Sequence, residues 1–114
     1  RAFARNDKPQ WREAVAWVAE RAAAEDLVLV SGRESVYYVE REDGLRSRAV
    51  CFQSQAEAGD RCGPMADRIR VWYLQQLHWE VPAPLAQGYV ERERKEFSQV
   101  AVVLFDRVPP GLDM

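Results

Sequence analysis

The four consecutive apolar residues Leu27–Val30 constrain the fold of this chain more than any other segment. Successive side chains along a strand point to opposite faces of the sheet, so an uninterrupted apolar run predicts a strand that is buried on both faces. Strands of this kind are typical of the centre of a parallel sheet that helices cover on each side. The run therefore predicts an α/β protein with Leu27–Val30 as a central strand.

Helices and strands alternate along the rest of the sequence. Apolar residues at three- and four-residue steps predict an amphipathic helix over residues 9–24, and Asp7, Pro9 and Gln10 mark its start. Further helices are predicted at 35–42 and 84–95, and further strands at 46–52, 71–74 and 100–105. This order predicts a small Rossmann-like three-layer sandwich, with a mostly parallel sheet of about four strands and helices on both faces. The pattern leaves open whether the last strand runs antiparallel at an edge.

Length and charge limit the classes of partner. The chain has 114 residues, of which 16 are basic and 18 acidic, and its length predicts a single α/β domain over residues 1–114. The near-neutral balance provides no general attraction for a phosphate backbone, so no nucleic-acid partner is predicted. The longest apolar runs are far shorter than the about 18 residues that a membrane helix needs. Because the chain begins with Arg1 and carries no targeting segment, we interpret it as a piece of a longer sequence.

Polar residues follow the first and third predicted strands, and open α/β sheets bind ligands outside the carboxyl ends of their strands. They define a candidate ligand-binding crevice that consists of Ser31, Gly32, Arg33, Gln75, Gln76 and His78. Neither a G-x-G-x-x-G fingerprint nor a G-x-x-x-x-G-K-[ST] loop occurs in the chain, so no cofactor is predicted. Without such a motif, a purely structural turn at Gly32 is the alternative.

His78 is the only histidine, and it stands beside Trp79 and Glu80. Two roles fit this group: a general base with a carboxylate partner, or a sugar site that uses the indole face. A solvated loop histidine is the alternative, and no nucleophile elbow accompanies His78. The sequence therefore predicts no catalytic residue.

Cys51 and Cys62 are the only cysteines, and their spacing matches neither a C-x-x-C redox motif nor half of a four-ligand zinc site. No metal site is predicted. Two alternatives stay open for the pair. One is a disulfide that closes residues 52–61 onto the end of the second strand; the other is a buried thiol at Cys51 and an exposed thiol at Cys62.

Several short segments resemble a known class of domain. These are QWREAV at 10–15, DLVLV at 26–30, the pair Tyr37 and Tyr38, RVWYL at 70–74 and the closing segment 97–105. In this order they resemble the carboxyl-terminal extracytoplasmic domain of bacterial polytopic membrane glycosyltransferases, the dolichyl-phosphate-mannose-protein mannosyltransferase-like and aminoarabinose-transferase-like families. The polar segment 53–63 has no counterpart in that pattern.

The resemblance implies a non-catalytic accessory domain on the periplasmic face of the inner membrane. The membrane-embedded part of the same chain would transfer a sugar from a polyprenyl-phosphate-linked donor, and the catalytic acidic residues of those families belong to that part. The expected partners are the membrane-embedded part and a glycan or lipid-linked sugar. An oxidising compartment favours the disulfide between Cys51 and Cys62. The alternatives are a free-standing small-molecule or nucleotide-binding module that uses the candidate crevice, and a protein-interaction domain.

Overall fold

The structure, a computed structural model, describes residues 9–53, 68–77 and 80–108, and a five-stranded mixed sheet organises them. Its strands are β1 (Leu27–Val30), β2 (Ala49–Phe52), β3 (Arg70–Gln76), β4 (Tyr89–Phe97) and β5 (Val100–Arg107), in the order β2-β1-β3-β5-β4. β1 pairs in parallel with β2 and β3, whereas β5 pairs antiparallel with β3 and β4. The helices are α1 (Trp11–Arg21), α2 (Ser35–Glu40) and α3 (Ala83–Gly88), with a 3-10 turn at Asp43–Leu45.

The sheet divides the core into two clusters. On one face, β1 contributes Val28 and Val30, and α1, α2 and the 3-10 turn supply the cover. On the other face, β1 contributes Leu27 and Leu29, which pack in one cluster with Leu85 of α3. All four β1 residues are buried. The prediction of a central strand that is apolar on both faces is therefore confirmed.

The prediction of a Rossmann-like three-layer sandwich with a mostly parallel sheet is wrong. Residues 84–95 were expected to form a helix, but α3 ends at Gly88 and the chain continues as the edge strand β4. Residues from Val90 to Glu96 are exposed on both sides of β4, so no apolar stripe distinguishes the strand from a solvated helix. β5 supplies hydrogen bonds along β4, with a bulge between Glu91 and Glu93. The last strand does run antiparallel, but it lies inside the sheet.

The start of α1 is linked to the β4–β5 turn. Gln10 occupies the N-cap position but makes no side-chain cap to the helix. Its backbone N–H donates to the Ser98 carbonyl oxygen at 3.0 Å, and its Oε1 accepts from the Ser98 N–H at 2.7 Å. Gln10 thus marks the start of the helix through a tertiary contact and not through a side-chain cap, and Asp7 lies outside the described residues. The two bonds fix α1 across its face of the sheet.

A buried carboxylate joins the end of α1 to the sheet. Asp26 is 4% exposed, and its Oδ2 accepts both from the Ala23 N–H at 2.9 Å and from the indole N–H of Trp72 at 2.8 Å. Trp72 in turn meets the Trp17 ring edge-on at a centroid distance of 5.9 Å. The bond from the Ala23 N–H closes the turn before β1, and the bond from the Trp72 indole orients that side chain of β3. Asp26 therefore links the turn to the sheet through one oxygen.

We expect Asp26→Ala to lower the free energy of unfolding by about 3 kcal/mol, since it leaves the buried Trp72 N–H without an acceptor. Asp26→Asn should retain most of the stability because the amide oxygen can replace Oδ2. The matched control is Asp43→Ala, which removes only an exposed ion pair with Arg46. Urea denaturation measures all three variants. Equal losses for Asp26→Ala and Asp43→Ala would contradict the assigned role.

Candidate functional site

The structure brings three of the six predicted crevice residues together at the carboxyl ends of β1 and β3. Ser31 follows β1, and its N–H and Oγ both donate to the Leu74 carbonyl oxygen, at 3.0 and 3.1 Å. The N–H of Gln76 donates to Ser31 Oγ at 2.7 Å. Ser31 is fully buried. Its hydroxyl therefore extends the pairing of β1 with β3 and is already engaged within the protein.

The side chains of Trp11 and Gln76 fill the space beside Gly32, at the carboxyl end of β1. Gly32 has a φ of +91°, and a Cβ added there would lie 2.5 Å from Gln76 Oε1 and 2.9 Å from Cζ2 of Trp11. Its carbonyl oxygen accepts from Ser35 Oγ at 2.6 Å, at the start of α2. The backbone at Gly32 thus allows Trp11 and Gln76 to occupy the position where a ligand would meet the end of β1.

The other predicted crevice residues do not join this group. Arg33 is exposed in the turn, Gln75 is half-buried in β3, and His78 lies outside the described residues. Cys51 lies on β2 and packs at the margin of the cluster that contains Leu29, whereas Cys62 also lies outside the described residues. The disulfide between the two cysteines stays a prediction.

Trp11 is the residue of this region that the sequence interpretation missed. The three- and four-residue spacing of apolar residues that predicts the helix begins at Trp11 and so predicts a buried side chain there, and Trp11 is 1% exposed. Its indole N–H is buried and has no acceptor among the residues that the structure describes, which costs free energy in an apolar interior. Helical periodicity identifies Trp11 as a core residue but carries no signal that its ring reaches the end of β1.

We expect Gly32→Ala to destabilise the protein by about 2 kcal/mol, because the new Cβ meets Trp11 and Gln76 at a positive φ. Gly88→Ala is the matched control, since a Cβ there has no neighbour within 4 Å. The control should be neutral or slightly stabilising. Thermal unfolding distinguishes the two variants, and an undisturbed Gly32→Ala protein would show that the end of β1 has free space.

Tyr73 is the described titratable group with a perturbed pKa. Burial raises the pKa of its phenol above the usual value of 10.0, against smaller opposing effects of hydrogen bonds with Ser31 and Gln53. Its hydroxyl lies 2.7 Å from Gln53 Oε1 and 3.2 Å from the Glu80 carbonyl oxygen. A phenol with a raised pKa stays protonated at neutral pH. Its single proton can serve one of these acceptors at a time, and the shorter distance favours donation to Gln53, which follows β2.

The raised pKa of Tyr73 predicts a pH dependence. A raised folded-state pKa contributes stability below the unfolded-state pKa near 10, and this contribution is lost as the pH rises through the folded-state value. Between pH 8 and 10.5, the free energy of unfolding should therefore fall more steeply in the wild type than in Tyr73→Phe. Urea denaturation at the two pH values measures the slopes, and equal slopes would contradict the prediction.

The described residues lack two kinds of feature. Within 9–53, 68–77 and 80–108, no group of three or more His, Cys, Asp or Glu side chains could hold a metal ion. No helix in this part of the chain has the length and apolar character needed to cross a membrane.

A cavity of about 220 Å³ lies between α1 and α2. It is lined by Arg12, Val15, Tyr37, Tyr38, Arg41 and Glu42, and we call it the α1–α2 cleft. A second, more open depression shares Arg12, Tyr37 and Tyr38 and adds Glu34. Tyr37 and Tyr38 belong to the helix predicted at 35–42 and to the segments that carry the family resemblance, and the sequence predicts no ligand for them.

Comparison with known proteins gives no relative: no protein-family model, curated protein or solved structure matches this chain. The family resemblance therefore stays a prediction.

Proposed function

We propose that this chain is a non-catalytic accessory domain of a membrane glycosyltransferase that uses a polyprenyl-phosphate-linked sugar donor. In this proposal it lies on the periplasmic face of the inner membrane, joined to the membrane-embedded part of the same protein. The ordered short segments from Gln10 to Phe105 support the proposal. Most of them supply core residues of α1, β1, β3 and β5, whereas Tyr37 is 56% exposed on α2.

The main support for a non-catalytic role is that side chains of the protein fill the space at the carboxyl ends of β1 and β3. Ligands of open α/β sheets bind outside the carboxyl ends of the strands. Here Trp11 and Gln76 lie against Gly32, and the Ser31 hydroxyl bonds within the protein. A nucleotide-binding module would have to displace both side chains. This disfavours the free-standing nucleotide-binding alternative and favours a domain that acts through its surface.

The proposal predicts hydrophobic segments of about 20 residues, each able to span a membrane, in the coding sequence upstream of Arg1. Deletion of residues 9–108 from that whole protein should lower sugar transfer in isolated membranes without abolishing it, because the proposed role of the domain is accessory and the catalytic residues would belong to the membrane-embedded part. An immunoblot of the membranes controls for the amount of protein.

Three results would overturn this proposal in different ways. A coding sequence without upstream hydrophobic segments would contradict the assignment to a membrane glycosyltransferase. Unchanged sugar transfer after the deletion would contradict the accessory role. A rise in the thermal unfolding temperature of the 114-residue chain with ATP or NAD would instead support the nucleotide-binding alternative, since a ligand stabilises the state that binds it. We expect no such rise.

A further inference from the structure

We propose that the α1–α2 cleft is a binding site for a saccharide that carries an anionic group, a carboxylate or a phosphate. The site has the two parts that such a ligand needs: a guanidinium group without a partner among the described residues, and beside it the exposed ring of Tyr37 with the half-buried ring of Tyr38. Neither part belongs to the filled end of β1 and β3. The inference deepens the proposed function but does not depend on it, because the cleft lies wholly within the 114-residue chain.

Arg12 is the cation of the cleft. It lies in the first turn of α1, is exposed, and makes no hydrogen bond or ion pair with any described residue. By contrast, Arg21, Arg46, Arg70, Arg92 and Arg94 each lie within ion-pair distance of a carboxylate. A guanidinium group donates two parallel hydrogen bonds to a carboxylate or phosphate, and Arg12 has these donors available.

Arg41, the second cation of the cleft, contacts Tyr37. The Arg41 guanidinium stacks over the Tyr37 ring at 3.7 Å from its centroid, and Arg41 Nη1 donates to the Tyr37 carbonyl oxygen at 3.1 Å. The Tyr38 ring meets Tyr37 nearly at right angles, with centroids 5.1 Å apart. The two ring contacts favour one orientation of the Tyr37 side chain, although it is 56% exposed. An exposed ring held in this way offers an apolar surface to a sugar ring without a large loss of side-chain entropy.

The charge of the cleft favours an anion. Its lining contains Arg12 and Arg41 against one carboxylate, that of Glu42. Glu42 Oε2 accepts from the Gly44 N–H at 3.3 Å and is thus directed toward the 3-10 turn. Glu34 lies in the neighbouring depression, where a carboxylate can accept hydrogen bonds from sugar hydroxyls.

The test uses the 114-residue chain and follows backbone amide signals by NMR during titration with soluble sugars. Glucuronic acid and glucose 6-phosphate should shift amides of α1 and α2 with a dissociation constant in the millimolar range, whereas glucose should bind more weakly. Inorganic phosphate alone measures the contribution of the anion. If phosphate binds as tightly as glucose 6-phosphate, the saccharide part of the proposal is wrong.

Three variants locate the site. Arg12→Gln should raise the dissociation constant about tenfold, the value of one lost charge-assisted interaction, and Tyr37→Leu should raise it severalfold. Arg94→Gln, an exposed arginine of β4, is the matched control and should bind as the wild type does. Both cleft residues are exposed, so thermal unfolding should show folded variants.

A soluble saccharide and a lipid-attached one share this chemistry, and vesicles distinguish them. Phosphatidylcholine vesicles with a glucuronosyl glycolipid should sediment the wild-type chain but not Arg12→Gln if the ligand is lipid-attached. Binding only to the soluble sugars assigns a soluble ligand. Absence of binding to sugars and vesicles, or equal binding by wild type and Arg12→Gln, overturns the site. None of these results bears on the upstream membrane segments, so this inference and the proposed function fail independently.

Discussion

The structure depends on the burial of β1 on both faces. A strand whose four side chains are all apolar must be covered above and below and must have neighbours on both edges, because bare backbone groups are costly in an apolar interior. The parallel partners β2 and β3 satisfy the edges. α1 and α2 cover one face, and the cluster around Leu85 and Tyr89 covers the other.

A tertiary contact at the start of α1 explains why the expected crevice is closed. Gln10 pairs with Ser98 in the β4–β5 turn, and this contact places the first turn of α1 near the carboxyl end of β1. Trp11 is then buried against Gly32, and the Ser31 hydroxyl completes the pairing with β3. The side chains that stabilise this end of the sheet therefore occupy the position where open α/β sheets bind ligands.

The proposed saccharide site lies on the outer side of the helical layer. α1 buries Ala14, Val15 and Val18 and turns Arg12 outward, and the short helix α2 buries Val39 and turns Tyr37 outward. This division follows from helical periodicity, since residues of opposite faces cannot both reach the sheet. The α1–α2 cleft is thus a product of the same packing that fills the end of β1.

The sequence by itself determined the local elements with strong patterns: the amphipathic α1, the doubly buried β1, and the apolar strands β3 and β5. It did not determine β4, because the alternating charges from Glu91 to Glu96 suit a solvated helix and an edge strand equally. Only pairing with β5 decided between them, and only the tertiary contact of Gln10 with Ser98 brought Trp11 to Gly32. The local periodicity of apolar residues indicates which side chains are buried. It does not indicate which element covers them, because that element is often far away in the sequence.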